Sequence, residues 1–135
     1  MERHHYVDRL LAHYEMPRFH GPIPEADVIV RGENPGCGDI ITIYLRVGED
    51  DIAEKIHFEG EGCTISQGAA SILLERVQGR PLAQIESIDY NDLIEELGQE
   101  VVMTRVRCAT LSLSTLKNAI REYYARRQSS VTSTS

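Results

Sequence analysis

The chain has 135 residues, a length that suits one domain with a core of its own. Hydrophobic residues make up 41% and charged residues 26%; 14 basic against 21 acidic side chains leave a formal net charge of −7. That balance excludes a dedicated nucleic-acid binder, whose affinity comes from cations set against phosphates, and no apolar run approaches the roughly 18 residues of a membrane-spanning helix.

In chain order, His5 to Glu15 reads as a short helix, with Tyr6, Val7, Leu10, Leu11 and Tyr14 at helical spacing. Pro17 stops it, and Gly21, Pro22 and Pro24 form a loop. Val28-Ile-Val reads as a first strand. Ile41, Ile43, Leu45 and Val47 alternate with Thr42, Tyr44 and Arg46 in a second, half-buried one. Gly48-Glu-Asp-Asp is a turn, and Ile52 to Phe58 a third strand, which together predict an antiparallel meander. Ser66 to Gln78 is helical, with Ala69, Ile72, Leu73 and Val77 on one face and Gly79 as a stop. Pro81 to Ile85 is a helical turn. Asp89 caps a further short helix carrying Leu93, Ile94 and Leu97, with Gly98 past its end. Ala109 to Arg127 is the longest helix, striped by Leu113, Leu116 and Ile120. Strands first and helices after predict an α+β fold: a three-stranded antiparallel sheet with helices packed on one face. Residues 1–128 are expected to form a single domain, and 129–135 a disordered polar tail.

Charge is unevenly spread. Residues 1–100 hold 8 basic and 20 acidic side chains, residues 101–135 hold 6 and 1. Arginines that suit the negative end of the last helix explain this most simply; a docking surface for an acidic partner is the alternative. The opening Met1-Glu-Arg-His-His-Tyr-Val-Asp8 lacks the apolar stretch of a secretory leader, so a cytoplasmic location is expected.

Three cysteines are too few for a disulfide framework. Cys37 lies in Asn34-Pro-Gly-Cys-Gly-Asp39, between the first two strands. Cys63 lies in Gly60-Glu-Gly-Cys-Thr-Ile-Ser66, between the third strand and a helix. Cys108 lies at or just before the start of the last helix. All three sit at element ends or in glycine-rich turns, where functional groups tend to be held. The helix N-termini at Cys63 and Cys108 favour thiolates, with Arg105 and Arg107 adding to this at Cys108, and Asp39 offers an oxygen two residues from Cys37. Spacing alone leaves the matter open. Separations of 26 and 45 residues match no paired-cysteine pattern, so buried structural thiols stand as the alternative to a metal or persulfide site. His4, His5, His13 and His20 are read as residues of an exposed helix and loop. His57 is read as facing solvent or a helix. Glu33, Glu59 and Glu61 are read as solvated surface.

Asn34-Pro-Gly-Cys-Gly-Asp39, Gly62-Cys-Thr-Ile-Ser66 with Ala70-Ser71 following, and a cysteine opening the final helix together resemble the IscU/NifU/SufU family of iron–sulfur cluster assembly scaffolds. His13-Tyr14-Glu15-Met16-Pro17-Arg18 is similar to that family's N-terminal segment, and the likeness runs from about Tyr6 to Arg127. The resemblance implies one site of Cys37, Asp39, Cys63 and Cys108 that binds a transient [2Fe-2S] cluster, or zinc in the resting form. It implies a scaffold, not an enzyme with turnover of its own. Such a scaffold accepts sulfur from a cysteine desulfurase as a persulfide on Cys63 or Cys108 and passes the cluster to apo iron–sulfur acceptor proteins. Three thiolates are the soft ligands such cargo prefers, and a carboxylate leaves one corner exchangeable.

Two departures place the chain between the IscU and SufU branches. Arg107 stands where the IscU branch has histidine, and an arginine cannot deprotonate to ligate a metal. Val101-Val-Met-Thr-Arg105 replaces the Leu-Pro-Pro-Val-Lys segment read by an Hsp70-type chaperone, so that recognition is not expected. The 45-residue spacing from the second to the third cysteine leaves no room for the usual SufU insertion. The alternative function is a zinc-dependent sulfurtransferase or desulfurase activator that builds no cluster itself.

Overall fold

The computed structural model describes residues 2–36 and 38–133, with side chains as far as Arg127. The elements are α1 (Arg3–Glu15), β1 (Val28–Asn34), β2 (Asp39–Val47), β3 (Ala53–Glu61), α2 (Thr64–Val77), α3 (Leu82–Glu86), α4 (Tyr90–Leu97), α5 (Gln99–Val102) and α6 (Val106–Ser133). The three strands form one sheet in the order β1-β2-β3, both pairs antiparallel. The expected α+β meander is therefore found.

The sheet is covered on one face. Ile41, Ile43 and Leu45 on β2 are fully buried and pack toward α2 and α6, whereas the intervening Thr42, Tyr44 and Arg46 lie on the other face. This alternation is what a strand with one wet side requires. Helix α2 is buried almost all round, from Ser66 through Leu74, because the sheet lies below it, α6 beside it and α1 above it. Helix α6 completes the layer against β1 and β2 through Ala109, Leu113, Leu116 and Ile120.

The strands run further than alternation alone indicated. β1 continues to Asn34 and pairs residue for residue with β2, ending at Asn34 opposite Asp39. β3 continues to Glu61, opposite Ile40. Asp39 is thus a strand residue. The sequence pattern missed this because polar and glycine residues fill these strand ends. Helix α5 was also missed, since four residues are too few to show a period. Helix α6 starts three residues earlier than expected and runs to Ser133; of the expected tail, Thr134 and Ser135 lie outside the described residues.

The C-terminal arginines are engaged within the chain. Arg127 pairs with Asp51 at 2.6 Å, and Arg126 pairs with Glu122 at 3.0 Å and donates to the Asp27 carbonyl at 3.2 Å. His13 departs from its expectation as an exposed residue. It is 9% exposed, one turn from Leu10 on the face α1 turns to α2. Its Nδ1 lies 2.7 Å from Ser71 Oγ, which itself accepts from the Arg18 N–H at 2.8 Å. The contact joins α1 to α2 through a buried side-chain hydrogen bond between His13 and Ser71. Burial is the main cause holding the His13 pKa below its ordinary 6.5, with Arg9 and Arg18 assisting and Glu75 opposing. A depressed histidine stabilises the fold above pH 6.5 and loses that contribution as pH falls through its folded value. Wild-type melting temperature is expected to drop as pH is lowered below 6.5, with a shallower slope in His13→Gln; equal slopes would remove His13 as the titrating group.

Gly68 marks the closest approach of α1 to α2. A Cβ there would stand 2.7 Å from the Leu10 carbonyl oxygen, a backbone atom that cannot swing aside. Helix propensity favours alanine over glycine by about 1 kcal/mol, but the overpacking costs roughly 1–3 kcal/mol. Gly68→Ala is expected to lower stability to urea; a stabilised variant would show that α1 rides up at no cost.

Candidate metal centre

Three separate pieces of chain meet at one end of the sheet. Asp39 opens β2. Cys63 is the N-cap residue of α2, its Sγ accepting from the Ser66 N–H at 3.4 Å. Cys108 lies in the first turn of α6. The carboxylate and the two Sγ atoms all lie within 4.8 Å of one another. Cys37 falls between Asn34 and Asp39 in the sequence and lies outside the described residues. Beside it, the Gly38 N–H donates to the Asn34 carbonyl at 2.9 Å, closing the connection between β1 and β2.

Asp39 is fully buried. Its Oδ1 accepts from the Cys63 N–H at 2.9 Å and from the Ser66 hydroxyl at 3.2 Å. Oδ2 is equally buried and makes no hydrogen bond among the described residues. Burial pushes the Asp39 carboxyl up, but the groups turned toward it outweigh that: the Cys108 thiol first, then the Cys63 N–H, the Ser66 hydroxyl and the Cys63 thiol. The net result is a carboxyl held below its ordinary range and ionised at neutral pH. Gly62, at φ +146°, makes the contact sterically possible, because a Cβ there would lie 2.2 Å from Asp39 Oδ1.

The two thiols differ. Cys63 is partly exposed; Cys108 is 1% exposed and sits on the buried face of α6. Sequence position alone set Cys108 apart from apolar helical stripes, and the earlier helix start corrects this. The Asn34 side-chain amide, 7% exposed, donates to Cys108 Sγ at 3.6 Å. Asn34 and Ser66 thus act on the ligating groups although the sequence reading gave them no role; both stand inside the quoted motifs, and only their hydrogen bonds distinguish them from turn and cap residues. A groove of about 610 Å³ opens beside Cys108, lined by Asn34, Gly36, Met103, Arg105 and Arg107 among others. Arg107 thus borders the entrance and supplies no ligand.

The arrangement fits a cation. Zinc forms bonds of about 2.3 Å to sulfur and 2.0–2.2 Å to oxygen, and ligand atoms gathered within 4.8 Å of one another are in range of a single ion. The N-termini of α2 and α6 converge on the same point, a setting that favours anionic ligands. A buried carboxylate oxygen with no hydrogen bond among the described residues, gathered with two thiols, could serve a soft metal with one harder corner.

Comparison with known proteins agrees with this geometry. Residues 5–130 match the NifU-like N terminal domain family. The chain is 35% identical over 133 residues to the "Iron-sulfur cluster assembly scaffold protein IscU" of Thermotoga maritima, covering 87% of this chain and 93% of that one. It is 29% identical over 126 residues to the protein of that name from Escherichia coli K12, covering 91% and 97%. Among solved structures, a putative iron–sulfur cluster assembly scaffold protein for the SUF system from Fervidobacterium islandicum aligns with a TM-score of 0.67 at 26% identity, over 88% of this chain and 99% of that one. A NifU-like N-terminal structure from Brucella abortus, at 16% identity and a TM-score of 0.75, over 89% of this chain and 98% of that one, shows the same fold. With the family's pattern matched along nearly the whole chain, and Asp39, Cys63 and Cys108 drawn together, the chain belongs to the NifU-like N-terminal domain family.

Proposed function

We propose that the chain is an iron–sulfur cluster assembly scaffold whose cargo is held by Cys37, Asp39, Cys63 and Cys108. The observation that carries this reading is the buried Asp39 Oδ2, without a hydrogen bond among the described residues and gathered with two thiols. Relatives named as scaffolds, similar over most of both chains, support it. Three thiolates and one carboxylate suit a [2Fe-2S] cluster that must later leave, since a four-thiolate cage would hold it more firmly. Zinc, when bound in the resting form, would satisfy the same thiolates.

The sulfur donor is a cysteine desulfurase that presents a persulfide. A thiolate of this chain attacks the outer sulfur, forming a new S–S bond, and the desulfurase cysteine leaves as thiolate. Cys63 and Cys108 are the candidate acceptors. The finished cluster passes to apo iron–sulfur proteins, and the cytoplasm is the expected setting. Sulfur acceptance is a sulfurtransferase step in form, but no turnover on a small substrate is assigned. Among the described residues no helix is long and apolar enough to cross a membrane.

As purified, the protein is expected to carry about one zinc per chain, and Cys63→Ser or Cys108→Ser should each lower the content several-fold. Full occupancy in both variants, read by elemental analysis, would remove the site. Anaerobic incubation with ferrous iron, cysteine, a desulfurase and a thiol reductant, which reduces the persulfide sulfur to sulfide, should give a visible-absorbing cluster that transfers to an apo-ferredoxin. Persulfide without cluster would instead favour the zinc-dependent sulfurtransferase.

Docking of the desulfurase is assigned to the groove beside Cys108, since Arg126 and Arg127 are already engaged within the chain. Arg107→Glu should weaken desulfurase binding at low salt, and Arg127→Glu should leave it near wild type. Calorimetry giving the reverse order would move the docking surface to the C-terminal end of α6.

A further inference from the structure

Asp39 uses its two oxygens differently, and the division is set by residues outside the ligand set. A carboxylate oxygen has two lone-pair directions. Both directions of Oδ1 are taken, by the Cys63 N–H at 2.9 Å and the Ser66 hydroxyl at 3.2 Å. Oδ2 is buried, has the Cys108 and Cys63 thiols close by, and makes no hydrogen bond among the described residues.

The Ser66 hydroxyl has one proton and two acceptors in reach: Asp39 Oδ1 and the Cys63 carbonyl at 3.1 Å. The Cys63 carbonyl already receives the Gln67 N–H at 3.2 Å, the first hydrogen bond of α2. An ionised carboxylate is also the stronger acceptor. The proton therefore goes to Asp39. Gln67 supports this choice, because its side-chain amide donates to Ser66 Oγ at 3.0 Å and occupies a lone pair. Ser66 is fully buried and Gln67 is 8% exposed, so water does not compete freely at either side chain.

We infer that Ser66, backed by Gln67, is the positioning residue of the site: it ties down Asp39 Oδ1 and commits Asp39 to the metal through Oδ2 alone. The carboxylate is then a one-oxygen ligand of fixed orientation, unable to swing into two-oxygen coordination or turn away. Hydrogen bonds of this kind to a ligating group typically contribute 10–100-fold in metal affinity.

This inference rests on the reading of Asp39, Cys63 and Cys108 as metal ligands, and the test separates the two. Zn²⁺ affinity is measured by competition with a chromogenic chelator for wild type, Ser66→Ala, Asp39→Ala and the double variant. Ser66→Ala is expected to weaken Zn²⁺ binding about tenfold, and to have no effect once Asp39 is alanine, since it acts only through that carboxylate. The d–d absorption of the Co²⁺ form should change in Ser66→Ala, whereas a purely structural role would leave it as in wild type. Gln67→Met should shift affinity in the same direction by a smaller factor. If Ser66→Ala does not fold, by circular dichroism without metal, Gln67→Met in the two Asp39 backgrounds carries the same test. Affinity and spectrum unchanged from wild type in the folded variant would overturn the inference alone, as would an equal loss in both Asp39 backgrounds. A wild-type chain that binds neither Zn²⁺ nor Co²⁺ would overturn the metal-site reading and the inference with it.

Discussion

The buried carboxylate of Asp39 ties the site to the fold. A charged group taken out of water costs several kcal/mol unless it is paired or hydrogen-bonded, and Asp39 is fully buried. What offsets the cost comes from the turn that carries Cys63 and from the first turn of α2, through the Cys63 N–H and Ser66. One interaction thus locks the start of β2 to the start of α2 and sets the distance between a carboxylate and a thiol. The register of β1 on β2 follows the same logic. Asn34 lies opposite Asp39, and its amide reaches Cys108 on α6. The pair at the end of the hairpin therefore contacts both helix N-termini.

Much of this was legible in the sequence. Alternation in β2, the glycine stops after α2 and α4, and the Asp89 cap, which accepts from the Asn91 N–H at 2.8 Å, are local signals and were found where expected. Of the residues in the cysteine motifs, Asp39, Cys63 and Cys108 are gathered at one end of the sheet. Less legible were the features that depend on partners distant in sequence. Asp39 read as a loop residue because strand pairing with Asn34 leaves no periodic trace. His13 read as exposed because its burial and its hydrogen bond depend on α2, where Ser71 lies 58 residues away. Ser66 read as part of a motif, and its hydrogen bond to Asp39 spans 27 positions.

The charge asymmetry shows how the same composition supports different physical accounts. Six basic residues in the last 35 positions offer either a docking surface or compensation of a helix dipole. The structure gives Arg126 and Arg127 a third role, that of fastening α6 to the β1 and β2–β3 ends through Asp27 and Asp51. Exposed ion pairs of this type contribute little stability each. Their effect is to fix the position of the long helix that carries Cys108 at its other end. Arg105 and Arg107 border the groove at that thiol together with Met103, 62% exposed. Charge and apolar surface are both present where a partner must come to reach the site.

A scaffold has to survive both with and without its cargo. In small zinc modules the metal is the core, and removing it unfolds the chain. Here 25 buried apolar residues form a core among the described residues that includes none of the candidate ligands. Most of the apolar burial that favours folding is thus supplied by residues other than the candidate ligands. The candidate site nevertheless leaves Asp39 Oδ2 buried near two thiols with no hydrogen bond among the described residues. Cargo that binds only the folded state adds stability by mass action, and its departure returns the chain to a structure the core already maintains.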